Sequence, residues 1–236
     1  MKIPYDLHIH TCLSPCGDDS MTPVNIAHMA YLKGLALIAV TDHNSARNVS
    51  AVIDAAVGLP LTVIPGLELN TSEEIHLVCL FPDTASAQSA GEYVESRLPH
   101  ILNKPDVFGN QLVMDKNESI IEEVERLLIT ASTISIDDAA DFAAEYGGVC
   151  FPAHIDRNSN SIIGVLGTVP DYLGYKTVEV SNPDAFVLNT FGRDICDHYR
   201  VLTSSDAHYL QNISEAERFL ELSAPGFSDL RALLST

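Results

Sequence analysis

Short runs rich in β-branched and other apolar residues recur along the chain, separated by stretches whose apolar positions return every three or four residues. This switching between strand-like and helix-like periods predicts an α/β domain built from βα units. The first strand covers Ile3 to His8. Thr22 then caps a helix with Pro23 at its first position and Gly34 past its end, and the unbroken apolar run Leu35 to Thr41 suits a buried strand. A short helix is expected at about Ser50 to Val57. Leu61 to Leu69 and Ile75 to Phe81 both read as strands, and the few residues between them cannot carry the crossover that parallel neighbours require, so they form a hairpin. Ala85 to Leu98 and Glu118 to Ala131 read as helices, joined by Pro99 to Asn117, a polar loop long enough to serve as a lid. Ser135 with Asp138 opens a helix that Gly147 and Gly148 close, and Val149 to Ala153 is the next strand. Strands at Thr177 to Val180 and Val201 to Ser204 flank a helix at about Ala185 to Tyr199, and a last βα unit runs from Arg218 to Leu234. With no repeat, linker or low-complexity segment, residues 1–236 are read as one domain.

Charge narrows the picture. The 236 residues carry 13 Lys and Arg against 32 Asp and Glu, a formal net charge of −19. Such an excess argues against a protein that tracks phosphates with a basic face, so a nucleic-acid polymer is not expected as a partner, and neither is an anionic membrane surface. The start of the chain lacks the apolar core of a secretory signal, and no apolar run approaches the roughly 18 residues of a membrane span, so a cytoplasmic protein is expected. The five cysteines are odd in number and mostly lie in apolar runs, which argues against a disulfide framework. Cys12 and Cys16 do not have the C-x2-C spacing of a structural zinc site.

Histidines carry the chemistry. Nine occur, and six fall at strand ends: His8, His10, His43, His76, His154 and His208. Residues at the C-terminal ends of strands in a βα barrel converge on one face, where side chains remote in sequence meet. His8 and His10 are two apart on a strand and so share a face, as do Asp206 and His208 if the chain there is extended. Glu68 and His76 lie symmetrically about Ser72, and the expected hairpin sets them across from each other. Asp42, beside His43, suits a residue that orients a ligand. Imidazoles mixed with carboxylates suit Zn²⁺, Mn²⁺ or Fe²⁺, and such ions activate water without a side-chain nucleophile. His28, His100 and His198 are read as structural. Among the few basic residues, Arg157, three after His154, is the best candidate to clamp a phosphate, because a guanidinium can do so in bidentate fashion.

The segments DLHIHT (Asp6 to Thr11), VTDHN (Val40 to Asn44), GLEL (Gly66 to Leu69), IHL (Ile75 to Leu77), PAH (Pro152 to His154) and SSDAH (Ser204 to His208) together resemble the PHP family, named for polymerase and histidinol phosphatase. The resemblance spans nearly the whole chain. It implies a distorted (β/α)7 TIM-like barrel with two or three divalent metal ions at the C-terminal strand ends, and hydrolysis of phosphate esters. It assigns His8, His10, Glu68 and Asp206 to one ion, and Glu68, His76 and His154 to a second, with Glu68 bridging. His43 and His208 fall to a third, whose remaining ligand comes from the loop after H-x-H. That loop here reads TCLSPCGDDS, where Asp18 is the expected ligand and Cys16 the runner-up. His154, Asp206, Glu68 and Arg157 are the expected catalytic set.

Together these readings point to a metal-dependent phosphoesterase acting on a small phosphorylated metabolite or nucleotide. An amidohydrolase would share the barrel but needs a bridging lysine that no strand end here supplies. A nuclease is disfavoured by charge. A non-catalytic metal-binding module would not require so full a ligand set.

Overall fold

The computed structural model describes residues 1–236. The elements run β1 (Lys2–Ile9), α1 (Pro23–Leu32), β2 (Leu37–Val40), α2 (Val49–Ala55), β3 (Thr62–Asn70), β4 (His76–Leu80), α3 (Thr84–Ser96), α4 (Pro105–Phe108), β5 (Leu112–Met114) and β6 (Ile120–Glu123). They continue with α5 (Ile136–Glu145), β7 (Val149–Pro152), α6 (Ile162–Leu166), β8 (Thr177–Glu179), α7 (Pro183–Phe186), α8 (Thr190–His198), β9 (Arg200–Leu202), β10 (Phe219–Glu221) and α9 (Phe227–Leu234). The caps act as their sequence suggests: the Thr22 hydroxyl accepts from the Asn25 N–H to start α1, and Ser135 accepts from Asp138 to start α5. No helix is long and apolar enough to cross a membrane.

The fold is α/β, with a curled mixed sheet of six strands in the order β10, β1, β2, β3, β4, β7. β1, β2 and β3 are parallel, β4 is antiparallel to both β3 and β7, and β10 is antiparallel to β1. A parallel pair, β8 with β9, meets this sheet at two points: the Ile155 N–H donates to the Glu179 carbonyl at 2.8 Å, and Ala207 bridges Ile9.

Each sheet face has its own core. Ile38, Val40, Leu67, Leu69, Leu77 and Cys79 pack one face against the helix residues Ile26, Val52, Ala87 and Phe142. Ile3, Tyr5, Leu7, Leu37, Ala39, Ile64, Val78, Leu80 and Phe151 fill the other. Strand alternation would turn His8 away from that second face, because Leu7 already points into it. A bulge resolves the conflict: Asp6 pairs with Ile38 but Ile9 with Val40, three steps against two, so the phase reverses and His8 and His10 join the face of Leu7. Glu68 and His76 extend the same face beyond Ile64 and Val78. The inner face is thus apolar at one end and ionisable at the other.

Two expectations are revised. The β3–β4 hairpin forms, but its register pairs Asn70 with His76 and Glu68 with Val78, so Glu68 and His76 are diagonal neighbours. The turn bonds Thr71 to Ile75, with Glu74 at φ 61°, and shifts the centre of the hairpin by one residue. The helix expected over Glu118 to Ala131 does not form; β5 and β6 make an antiparallel hairpin instead. The Asp115 carboxylate accepts from the N–H groups of Asn117 and Ser119 at 2.8 and 2.9 Å, and this side-chain turn competes with helix initiation. Beyond β6 the buried Gln111 amide serves the backbone, donating to the Val124 and Arg126 carbonyls and accepting from the Leu128 N–H. The apolar spacing of Val124, Leu127 and Leu128 imitates a helix while side chains hold the segment extended.

A candidate metal centre at the strand ends

Five of the six strand-end histidines surround Glu68, a residue only 1% exposed, and the sixth, His208, stacks on His10 with its Nδ1 3.6 Å from Asp206 Oδ1. Glu68 Oε1 lies 3.0 Å from His76 Nδ1, 3.1 Å from His154 Nε2 and 3.3 Å from His8 Nε2; its Oε2 lies 2.9 Å from His43 Nδ1 and 3.4 Å from His10 Nε2. Asp206 Oδ1 stands 3.0 Å from His10 Nε2 and 3.4 Å from His8 Nε2, while its Oδ2 accepts from Arg157 Nη1 at 2.6 Å. β1 carries the first pair, β3 and β4 carry Glu68 and His76, and the ends of β2, β7 and β9 lead to His43, His154 and Asp206. Two of these residues stand in the left-handed backbone region, His154 at φ 31° and Asp206 at φ 50°. Side chains other than glycine seldom adopt it, and such strain collects where function fixes a geometry.

A surrounding shell sets the tautomers. His8 Nδ1 meets both oxygens of buried Glu179, at 3.0 and 3.3 Å, and His10 Nδ1 meets the Ser14 hydroxyl at 2.9 Å. Ser14 in turn donates to Asp42, which also accepts from the Thr11 N–H and hydroxyl. With each Nδ1 donating its proton, each Nε2 is the atom left to face the centre, and that of His8 takes up a proton when no cation is there. These two Nε2 atoms are 3.2 Å apart, a repulsive contact unless a cation or proton lies between them.

The charge states reflect this crowding. Burial opposes protonation of His8, yet the Glu179, Asp206 and Glu68 carboxylates hold its pKa well above the ordinary value. Burial and the neighbouring His208 and His43 keep His10 well below it, and burial likewise lowers His43. Burial works against ionisation of Glu68 and Asp206, but the imidazoles around them keep both carboxyls ionised far below their usual range.

The donor set fits divalent ions. His43 Nδ1, Glu68 Oε2, His76 Nε2, His154 Nδ1 and Asp206 Oδ1 are buried without a hydrogen-bond partner. Buried polar atoms are rarely left so, and five in one place, with His43 Nδ1 only 2.9 Å from Glu68 Oε2 yet poorly aligned for a hydrogen bond, suit a shared cation better than a shared proton. Three groups of ligand atoms lie within 4.8 Å of one another: His8, His10 and Glu68; His43, Glu68 and His76; and His10, His43 and His208. Asp18, expected as a ligand of the last group, is not among them. Its carboxylate turns back to accept from the N–H and hydroxyl of Ser20, a local bond that a short acidic side chain makes readily. Cys16 is exposed and belongs to none of the three groups.

A cavity of about 160 Å³ opens on the cluster, walled also by Ile129, Arg157, Ser159 and Asn160. Arg157 is thus at the site, paired with Asp206, its side chain 45% exposed. Residues 99–117 contribute nothing to this lining; they pack on the loop after β1 instead, with the Leu112 N–H donating to the Cys12 carbonyl. Sequence reasoning missed Glu179, Ser14 and Ile129. For Glu179 a signal was present, a carboxylate between Val178 and Val180 in an otherwise apolar strand.

No family model matches the chain. It is 28% identical over 155 residues to a 5'-3' exoribonuclease of Haemophilus influenzae, an alignment covering 59% of this chain and 56% of the relative. It is 37% identical over 86 residues to the 5'-3' exoribonuclease Rnm of Salmonella typhimurium, covering 34% of this chain and 28% of that one. The chain thus spans about half or less of the length of these curated relatives. In structure it superposes over its full length on 56% of the lesion-specific endonuclease PfuEndoQ from Pyrococcus furiosus, with TM-score 0.64 at 18% identity. Endonuclease Q has been solved with a duplex carrying an abasic lesion at its active site. These relatives and neighbours are hydrolases.

The comparisons overturn one expectation, that of a small phosphorylated partner with nucleic-acid polymers excluded. Relatives and neighbour alike act on nucleic acid. Net charge misled because it averages the whole surface, whereas exposed charges more than about 10 Å apart are largely screened and ions at a centre set the sign of the local field.

Proposed function

We propose that the chain is a metal-dependent nuclease of the PHP type, hydrolysing phosphodiester bonds of a polynucleotide at the strand-end centre. The observation that carries this reading is the convergence of six imidazoles on Glu68 and Asp206 with buried lone pairs left unpartnered, in a chain whose relatives are exoribonucleases. The Ile9–Ala207 bridge and the bond from Ile155 to Glu179 support a distorted barrel of seven strands, β1 to β4 and β7 to β9, with β10 an added edge strand on β1. The mixed nitrogen and oxygen donors suit Zn²⁺, Mn²⁺ or Fe²⁺, and the three ligand groups provide for two or three ions.

Bound there, such ions supply an activated water as nucleophile and neutralise charge on the phosphoryl group. The chain's own residues do the rest. Glu68 offers both oxygens, one toward His76, His154 and His8, the other toward His43 and His10, which suits it to bridge. Glu179 and Ser14 keep protons on Nδ1 of His8 and His10 so that each Nε2 stays available. Arg157 uses one nitrogen on Asp206 and exposes the remainder of its guanidinium to the cavity, where it can hold a non-bridging phosphate oxygen.

The test is to load the purified protein with Mn²⁺ or Zn²⁺, measure its metal content, and incubate it with end-labelled single-stranded RNA and DNA. Stepwise release of mononucleotides is expected, and Glu68→Gln should reduce it at least about a thousandfold. A preparation holding two or more ions per chain that cleaves neither RNA nor DNA would refute the proposal.

A further inference from the structure

The wall of the metal cavity has one apolar residue, Ile129, and an unusual number of bonds hold it there. Asn44, itself at φ 53°, donates from its amide to the carbonyls of Leu128 and Thr130 at 2.7 and 2.9 Å, the residues on either side of Ile129. Asn70 donates to the carbonyl of Ile129 at 3.0 Å, and the Asn44 side-chain oxygen accepts from the Asn70 N–H at 2.8 Å. Asn44 follows His43 directly, and Asn70 lies two residues beyond Glu68 on the same face of β3. The two strand ends that deliver Glu68 and His43 therefore also fix the backbone of Ile129. Its side chain is half-buried and lines the cavity.

An isoleucine so placed has no bearing on metal ligation or on the phosphate. The cavity, at about 160 Å³, falls below the roughly 300 Å³ where pockets that enclose a whole small molecule begin, so it takes the scissile phosphate and leaves the flanking nucleoside at its wall. The other wall, Arg157 to Asn160, is polar and cationic and suits the phosphate. We infer that Ile129 is a specificity-determining residue, the apolar platform against which the face of the nucleobase next to the scissile phosphate packs. The inference rests on the polynucleotide reading above and adds that the enzyme distinguishes a nucleotide from a phosphodiester without a base. Base faces are apolar in every nucleotide, so this contact selects for the presence of a base and not for its identity.

The test compares the metal-loaded wild type with Ile129→Ser and Ile129→Leu on two substrates, a short oligonucleotide and the same strand with an abasic residue beside the scissile phosphate. The wild type should show a KM about tenfold lower for the intact strand, since even small changes in an apolar contact carry that much discrimination. Ile129→Ser should raise KM for the intact strand about tenfold toward the abasic value with kcat within twofold, and Ile129→Leu should keep the wild-type preference. Equal KM values for the two substrates in the wild type, or an equal rise on both in Ile129→Ser, would overturn the inference and leave the nuclease reading standing. Absence of cleavage of either strand by metal-loaded wild type would count against the nuclease reading itself. Metal content of each variant, measured alongside, should stay at the wild-type value, and its loss in Ile129→Ser would identify Ile129 as a structural prop and overturn the platform.

Discussion

Replacing Glu179 by glutamine should weaken metal binding without unfolding the protein. Glu179 is 1% exposed and touches no ion-facing atom; its oxygens approach His8 Nδ1 at 3.0 and 3.3 Å, and Oε1 also accepts from the His154 N–H at 3.2 Å. The glutamine oxygen can keep the bonds made by Oε1. What goes is the negative charge that polarises His8 and the second contact, which the new amide N–H would turn into two facing donors. Partners of this kind behind a metal-bound histidine are worth 10- to 100-fold in affinity, about 1.4 to 2.8 kcal/mol at about 1.4 kcal/mol per factor of ten. Competition titration with a chromophoric chelator measures the affinity, and thermal melting of the chelated protein measures the fold. The expected result is the affinity loss in a protein that still unfolds cooperatively without metal, at a lower melting temperature because the buried charge pair with His8 is gone. An affinity within twofold of wild type would refute the assignment of Glu179 as the group that orients His8, and collapse of the metal-free protein would show that its role is to hold β7 and β8 together.

The remaining predictions concern pH and the hairpin of residues 112–123. Metal-free protein should be most stable near pH 6.5: below it, unfolding lets His10 and His43, held neutral in the fold, take up protons, so stability rises with pH; above it, only folded His8 keeps its proton, so stability falls as pH climbs toward the raised folded pKa. Urea midpoints from pH 5 to 8.5 would show this maximum, and a steady rise across the range would contradict the assigned shifts. Asn48→Ala should cost about 2 to 4 kcal/mol, because the buried amide donates to the Leu112 carbonyl and the Thr11 hydroxyl and accepts from the Met114 N–H, and truncation leaves buried groups unpaired. Denaturant unfolding at unchanged slope tests it, a loss under 1 kcal/mol being the contrary result.

How much of this was legible in the sequence depended on whether the deciding force was local. The apolar runs of β2, β3 and β4, the caps at Thr22 and Ser135, and the grouping of histidines at strand ends are all local patterns, and all of these elements stand where the sequence sets them. The α/β class followed. The segment after residue 117 failed because its bonds are made at a distance: Gln111 and Asn44 satisfy a backbone that, read alone, has helical spacing. The bulge in β1 was invisible for a related reason. Strict alternation puts Leu7 and His8 on opposite faces, and only pairing with β2 shows that both turn inward. Asp18 is the exception, a miss decided locally: it was chosen for its chemistry, while Ser20, two residues on, claims its carboxylate first.

Charge was the sequence property read with the widest scope, and it has the narrowest. A net charge of −19 disfavours a polyanionic partner for a protein that grips phosphates through a basic surface, since that grip needs many lysines and arginines together. A metal centre does not work that way. Two divalent ions would move the formal charge only from −19 to −15, leaving the sign of the whole protein unchanged. Within the cavity they would act on a phosphate at contact distance, beside Arg157. Exposed acidic groups more than about 10 Å from the site are largely screened and set only how freely a long strand approaches. On the proposed reading, affinity for a polynucleotide is concentrated at one or two phosphates and the base beside them. This is a geometry suited to engaging a strand locally at the scissile bond, and it requires no track of positive charge along the surface.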